Sequence, residues 1–198
     1  MVRNDETLVD GRVRRGERNR AAIVDALLGL LESGDTKPSA RSIAEAAGVS
    51  VRSVFQHFDD LESLYATVVE RQAERLRRFE LEIDPTTTFD ERVSAFVSQR
   101  ARLYEHITPV RRATLRVAHE SAALQDGLKR IATRHAREVA DLFATELDAA
   151  RNATVLRAAL VVATSWETWD RLRREQRCSI DTARRVVEQL VKGTVAVA

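Results

Sequence analysis

One short segment, residues 50–57 with the sequence SVRSVFQH, combines hydrogen-bonding and apolar side chains. Arg52 can pair with the O6 and N7 atoms of guanine through two hydrogen bonds, which makes it the best candidate for a base contact. Ser53 and Gln56 could add hydrogen bonds, and Val51 could pack on the methyl group of a thymine. These side chains could contact base edges in duplex DNA if the elements around them present the segment outward.

Two short helices joined by a tight turn are predicted to hold this segment. Gly48 lets the chain leave the first helix in a left-handed conformation, and Ala44 supplies a small side chain where the helices cross. The apolar residues expected to hold the pair together are Ile43, Ala47, Val49 and Val54. The pattern is that of a helix-turn-helix, which places its second helix in the major groove. The alternative is an ordinary helical corner, since glycine between two helices is common.

A basic tract precedes these helices. Residues 12–20 contain five arginines and one acid, Glu17, although the formal net charge of the 198-residue chain is only +2. The tract is either a solvated tail or an arm that contacts the DNA backbone or the adjacent minor groove. The arginines assigned to DNA contact in the second case are Arg12, Arg14, Arg15 and Arg18.

Apolar residues recur at helical spacing along most of the chain, without convincing strand periodicity, so the predicted fold class is all-α. Thr88-Phe89-Asp90-Glu91 is a capping box that begins a helix, and Thr108-Pro109 is expected to cap the next one. We predict a flexible basic arm at residues 1–17, a three-helix helix-turn-helix domain at residues 18–60, and a C-terminal helical bundle at residues 61–198.

The composition excludes several other classes of protein. Cys178 is the single cysteine, so no internal disulfide is expected, and four scattered histidines are too few for a structural zinc site. The longest strongly apolar run, residues 158–163, is too short to cross a bilayer, and the first twenty residues lack the apolar stretch of a secretory signal. No glycine-rich phosphate loop, nucleophile elbow or His-Glu-x-x-His motif occurs. We therefore expect a cytoplasmic protein that is not an enzyme and has no cofactor, metal or membrane partner.

The run from Arg18 to Val69 resembles the TetR family of transcriptional regulators. Members of the family show the pattern T/S-x-R-x-I-A-x-x-A-G-V-S-x-x-x-x-Y-x-H-F, followed by a leucine-bearing helix. The matching residues are Ser39, Arg41, Ile43, Ala44, Ala47, Gly48, Val49, Ser50, His57, Phe58 and Leu64. The resemblance implies a homodimer that binds a near-palindromic DNA operator and usually acts as a repressor. It also implies that the homodimer dissociates from the operator when a small-molecule effector binds its C-terminal domain. The alternatives are an activator and a helical adaptor that binds protein in place of DNA.

The chain departs from the family at three positions. Val51 and Leu61 stand where the family often has lysine, and Phe55 stands where it often has tyrosine, so three usual donors to DNA phosphates are missing. Because phosphate contacts supply most of the non-specific affinity for DNA, the arginine arm is the expected substitute.

Several residues around the helix-turn-helix complete the predicted DNA-binding set. These residues are Ser39, Arg41, Ser50, Phe55 and His57. Arg41 is expected to clamp a phosphate or to pair with Glu45 one turn on, and Phe55 to pack with some contact to sugars. His57 either touches a phosphate or is a packed, partly buried histidine.

The C-terminal part of the chain carries apolar stripes and two unusual polar residues. Residues 155–169 and 180–195 would form a homodimer face, or lie inside the bundle, and a two-fold axis suits palindromic DNA. Arg100 and His135 fall on apolar stripes, where they either snorkel and bond within the core or line an apolar cavity for a negatively charged ligand. The residues that would complete such a cavity are Phe96, Tyr104, His119, Phe143 and Trp166.

Overall fold

The structure, a computed structural model, describes residues 5–35, 37–76 and 82–198, with side chains described from residue 14 onward except at positions 120 and 123. Within these ranges the chain is helical and contains no strand, which confirms the predicted all-α fold. The helices are α1 (Asp5–Glu32), α2 (Ala40–Ala47), α3 (Val51–His57), α4 (Leu61–Leu76), α5 (Phe89–Val117), α6 (Ala122–Leu142), α7 (Ala144–Ala149), α8 (Ala153–Ala163), α9 (Trp166–Asp170) and α10 (Ile180–Ala196). None of them, as far as they are described, has the length and apolar character needed to cross a membrane.

The chain folds into two compact units. The first unit comprises Met1–Arg75 and Pro109–Gly127, and the second comprises Leu76–Thr108 and Leu128–Ala198. The predicted boundary at residue 60 therefore falls inside the first unit. The physical reason is that α4 is part of this unit, where its residues Leu64 and Val68 are fully buried.

Helix α1 is the longest element of the first unit and buries a stripe of aliphatic side chains. These side chains are Ile23, Val24, Leu27, Leu28 and Leu31. The helix already begins at Asp5, so residues 5–17 belong to a helix and not to a flexible arm, while residues 1–4 lie outside the described part. Acidic residues near the start of a helix favour its dipole, and arginine is a good helix former, so the tract is compatible with a helix.

Helix α5 continues through the proline at which a break was predicted. The Thr88–Glu91 capping box begins the helix as expected, with the Thr88 amide donating to Glu91 Oε2 at 3.0 Å. The predicted new cap at Thr108-Pro109 is wrong, because Pro109 lies inside α5 and the Thr108 hydroxyl donates to the carbonyl of Tyr104 in the same helix at 2.6 Å. An interior proline costs about 3 kcal/mol, and the buried residues that follow it, Val110 and Ala113, offset that cost.

A cluster of aromatic and aliphatic side chains forms the core of the second unit. Phe143 lies at its centre, with its ring edge-on to Phe96 at a centroid distance of 6.0 Å. The other large members are Tyr104, Leu156, Leu160, Trp166, Trp169 and Leu172. Small and β-branched side chains of α10 complete the packing.

Serine caps set the limits of the C-terminal helices. The predicted helix over residues 155–169 is divided into α8 and α9, because the Ser165 hydroxyl accepts from the amide of Thr168 at 3.2 Å and begins a new helix. The predicted start of the last helix is confirmed, since the Ser179 hydroxyl accepts from the amide of Thr182 at 3.1 Å. A π turn at Arg171–Glu175 follows α9.

Candidate nucleic-acid interface and polar core cluster

The turn between α2 and α3 has the predicted geometry. Gly48 adopts the left-handed conformation with φ 66° and ψ 31°, and its amide donates to the carbonyl of Glu45 at 3.2 Å. No atom lies within 4 Å of a Cβ built on Gly48, so the glycine is required by backbone conformation and not by lack of space. Ala44 and Val54 are buried between the helices, as predicted.

Helix α3 presents a mixed surface of four side chains. Arg52 and Gln56 are exposed one turn apart, and within the described residues Arg52 has no ion pair or hydrogen bond of its side chain. Val51 and Phe55, also one turn apart, are 40% and 49% exposed. Since Val54 faces inward, the remaining face of α3 is available to a partner.

The predicted serines act first as helix caps. The Ser39 hydroxyl accepts from the amide of Ser42 at 3.1 Å, and the Ser50 hydroxyl accepts from the amide of Ser53 at 3.1 Å. The Ser53 hydroxyl lies 3.0 Å from that of Ser50, so both are engaged within α3. These contacts begin α2 and α3 and leave Ser39 and Ser50 exposed at the starts of their helices.

Arg41 and His57 each lie near another residue of the first unit. Arg41 Nε lies 3.8 Å from Glu45 Oε1 in an exposed pair one turn apart, which holds the guanidinium only weakly. His57 is half-buried, and its Cε1 atom lies 3.8 Å from the position of a Cβ built on Gly16 of α1. The imidazole therefore packs against α1.

Several arginines of α1 are exposed. Arg14, Arg15 and Arg18 are exposed, with Arg18 Nε donating to the carbonyl of Arg14 at 3.2 Å, whereas the side chain of Arg12 lies outside the described residues. Arg20, which was not among the predicted contacts, places its guanidinium carbon 4.8 Å from the centroid of the buried Phe58 ring.

In the second unit, Arg100 is enclosed by aromatic and acidic side chains. Its guanidinium carbon lies 4.7 Å from the centroid of Phe96, and a terminal nitrogen donates to Glu138. Glu138 also accepts from Arg134 Nε at 2.9 Å, so one carboxylate serves two guanidinium groups. Arg100 Nε is buried, and no described residue accepts a hydrogen bond from it.

His135 also contacts Phe96 and belongs to the same cluster. The imidazole is parallel to the Phe96 ring within 2°, with the ring centroids 6.3 Å apart, and its Nε2 atom lies 3.1 Å from the Thr164 hydroxyl. Because that hydroxyl donates to the carbonyl of Leu160 at 2.8 Å, Nε2 is the donor to Thr164. Burial, followed by the charge of Arg100, lowers the pKa of His135 and keeps the ring neutral near pH 7.

The space next to this cluster is small. A cavity of about 10 Å³ is lined by Arg100, Tyr104, Thr164 and Trp169, among others. That volume suits one water molecule, whereas pockets for drug-sized ligands measure about 300–1,000 Å³. Arg100 bonds to Glu138 and His135 to Thr164 within the second unit.

Six of the seven predicted ligand-binding residues meet in the core of the second unit. They are Phe96, Arg100, Tyr104, His135, Phe143 and Trp166. Tyr104 and Trp166 both form hydrogen bonds within the second unit. The Tyr104 hydroxyl donates to the carbonyl of Thr164 at 2.7 Å, and Trp166 Nε1 donates to Thr108 Oγ1 at 3.0 Å. The seventh, His119, is exposed in a 3₁₀ turn of the first unit and is not part of this buried cluster.

A buried ion pair of the second unit was missed by sequence reasoning. Arg92 on α5 pairs with Glu146 on α7 and donates to the carbonyl of Thr87 at 2.7 Å. One signal was available, because Arg92 precedes Phe96 by one helical turn and must share its buried face. The acidic partner lies 54 residues away, and no local pattern could identify it.

Apolar side chains are exposed on α8 and α10, which contact each other. Val155 and Val162, two turns apart on α8, are 62% and 64% exposed. Leu190 on α10 and Val197, which follows the last residue of that helix, are also exposed. Adjacent exposed apolar faces of this kind are typical of protein interfaces.

Comparisons with known proteins define the class of fold. A TetR-family transcriptional regulator from Streptomyces coelicolor superposes with a TM-score of 0.68 and 15% identity, covering 91% of this chain and 80% of that one. A transcriptional regulator from Rhodococcus sp. Rha1 gives 0.62 and 21% over 92% of this chain and 97% of its own. A TetR-like regulator from Rhodococcus sp. RHA1 gives 0.59 and 16% over 93% and 97%. The chain therefore has the fold of TetR-family transcriptional regulators, as its resemblance to that family implies.

The likeness lies in the fold. No family model and no curated protein sequence matches the chain.

Proposed function

We propose that this chain is a DNA-binding transcriptional regulator whose helix α3 enters the major groove of an operator. The observation that carries the proposal is the α2–α3 pair, in which left-handed Gly48 leaves Arg52 and Gln56 exposed on α3. Side chains exposed in this way are available for base edges, and the fold of known regulators supports the same function.

Arg52 is the proposed base-reading residue, and Gln56 adds hydrogen bonds one turn further along the helix. The exposed arginines of α1, Arg14, Arg15 and Arg18, are proposed to contact phosphates, because their exposure and charge suit a polyanion. Arg12 and Arg41 are proposed for the same role. Ser39, Ser50, Ser53 and His57 are proposed to contribute chiefly by holding α2 and α3 in place.

The test begins with selection of bound fragments from random duplex DNA. Replacing Arg52 with alanine should cost about 1–3 kcal/mol on the selected operator and little on random DNA. Arg41→Ala is the matched control, since it removes the same charge from α2. The Arg41→Ala variant should bind all sequences more weakly by about the same factor. The slope of log K against log salt concentration should become less steep by about one.

Two results separate this function from its rival. The exposed Val51 and Phe55 also suit a protein surface, which keeps a helical adaptor as the second candidate. Failure of the purified chain to bind any duplex even in dilute salt would refute the proposed regulator. Binding that does not weaken as salt is raised would do the same, because phosphate contacts release counterions.

We further propose a homodimer formed through α8 and α10. The exposed apolar faces of the two helices support this assignment, and two copies related by a two-fold axis fit a near-palindromic operator. Val162→Asp should convert the dimer to a monomer in analytical ultracentrifugation and weaken operator binding. Leu115→Asp, at an exposed apolar residue of the first unit, is the matched control and should leave the dimer intact. A Val162→Asp protein that stays dimeric would contradict the assignment.

The proposal also includes repression of transcription and dissociation from the operator when a small anionic effector binds. The effector's negative group would replace Glu138 on Arg100, so the Arg100–Glu138 pair must open and the core must expand beyond its cavity of about 10 Å³. A screen for compounds that release the operator should yield anions. Arg100→Gln should then prevent release while operator affinity stays unchanged, and release that persists in this variant would refute the role of Arg100.

A further inference from the structure

The exposed face of α3 consists of two parallel lines of side chains. One line is polar and contains Arg52 and Gln56, while the other is apolar and contains Val51 and Phe55. The two apolar side chains are 40% and 49% exposed, although Val54 on the same helix is fully buried. The apolar line is therefore not part of the core of the first unit.

In duplex DNA, the apolar group that projects into the major groove is the 5-methyl group of thymine. Residues four apart on a helix are separated by about 6 Å along its axis, and stacked bases by about 3.4 Å. Val51 and Phe55 can consequently reach methyl groups about two base steps apart. We propose that these two side chains form an apolar ridge that reads two thymine methyl groups in each half-site, beside the guanine bound by Arg52; this inference rests on the proposed function.

The charges of the first unit identify DNA as the occupant of this ridge. Arg52 lies on the same face of α3, and Arg14, Arg15 and Arg18 are exposed on α1 of the same unit. A polyanion is complementary in charge to these arginines, whereas an apolar protein partner would offer them no opposite charge. Valine and phenylalanine can give no hydrogen bond to a phosphate, so Val51 and Phe55 are suited to apolar contacts, among which base methyl groups are the ones that carry sequence information.

The experiment replaces single thymines of the selected operator with deoxyuridine, which removes only the methyl group and keeps the base pair. Burial of one methyl group corresponds to an affinity change of about fourfold. We expect that loss at two positions of a half-site, and roughly 15-fold when the same thymine is replaced in both half-sites. Thymines elsewhere in the operator serve as internal controls and should be insensitive.

Two variants assign the methyl groups to their residues. Val51→Thr keeps the shape of the side chain but replaces a methyl with a hydroxyl group, and Phe55→Ala removes the ring. In each variant, the loss of affinity caused by deoxyuridine (the uracil effect) should vanish at one position and persist at the other. Arg52→Lys is the matched control on the polar line and should keep both uracil effects. Val51→Thr should unfold close to the temperature of the original chain, whereas Phe55→Ala loses the burial of half a ring and should unfold at a lower temperature. Binding is therefore measured well below the unfolding midpoint of each variant.

Equal affinity for thymine and uracil at every position would overturn the ridge while leaving the regulator in place. Phe55→Ala weakening all sequences equally, without any uracil effect, would assign the ring to the sugar-phosphate backbone and would also overturn it. Failure to select any DNA would instead refute the proposed function itself, so the two failures are distinguishable.

Discussion

Replacing Gly48 with alanine tests the backbone conformation that joins α2 to α3. A left-handed conformation costs a non-glycine residue about 1–2 kcal/mol. The new methyl group would meet no atom within 4 Å, so steric clash adds nothing to this cost. The free energy of unfolding of the first unit should therefore fall by about 1–2 kcal/mol.

Gly29 provides a matched control in the same unit. It lies in α1 with no atom within 4 Å of an added Cβ, and its helical backbone suits alanine. Gly29→Ala should stabilise the unit by about 0.5–1 kcal/mol. The two variants carry the same chemical change and should therefore differ by about 1.5–3 kcal/mol.

Hydrogen exchange at the buried amides of Leu27 and Leu28 measures this difference, since both residues lie in the first unit. Trp166 and Trp169 lie in the second unit, so their fluorescence unfolding curve should be the same in both variants. A Gly48→Ala protein with exchange rates like those of Gly29→Ala would refute the reasoning. Gly48→Asn should recover part of the loss, because asparagine tolerates the left-handed region better than alanine does.

Three further predictions concern the second unit. Glu146→Gln leaves the charge of Arg92 buried without its anionic partner and should lower the free energy of unfolding by about 3–5 kcal/mol in tryptophan-monitored urea unfolding; a change below about 1 kcal/mol would contradict a buried pair. Tyr104→Phe removes the donor to the carbonyl of Thr164 and should cost about 1 kcal/mol in the same assay, and an unchanged midpoint would argue against that bond. The pKa of His135 lies below its ordinary value of 6.5, so only the unfolded chain takes up this proton just below pH 6.5. Stability should therefore fall by up to about 1.4 kcal/mol per pH unit as the pH drops from 6.5 to the lowered pKa, a slope that His135→Gln should lack.

Local signals in the sequence predicted the helix-turn-helix closely. Gly48 is left-handed, Ala44 is buried at the crossing, and Ser179 and the Thr88 capping box begin the helices assigned to them. Each of these signals acts over a few residues, through backbone conformation or a capping hydrogen bond. Such effects can be predicted without knowledge of the tertiary structure.

The errors arise where distant residues decide the outcome. Helix α5 passes through Pro109 because the residues beyond it are buried, and periodicity does not show what covers them. Arg100 was correctly placed on an apolar stripe, but its partner Glu138 lies on another helix, 38 residues away. Fold class could therefore be predicted from pattern alone, whereas the state of the polar cluster depends on contacts that no spacing reveals.

The residues that anchor α3 differ from those that face outward. Val54 and Phe58 hold the helix to the rest of its unit, while Val51, Arg52 and Gln56 contribute little to the core. Exchanges at outward positions usually alter stability by no more than about 0.5 kcal/mol. The chemistry of the outer face of α3 can therefore be changed, one side chain at a time, at little cost to the stability of the unit that supports it.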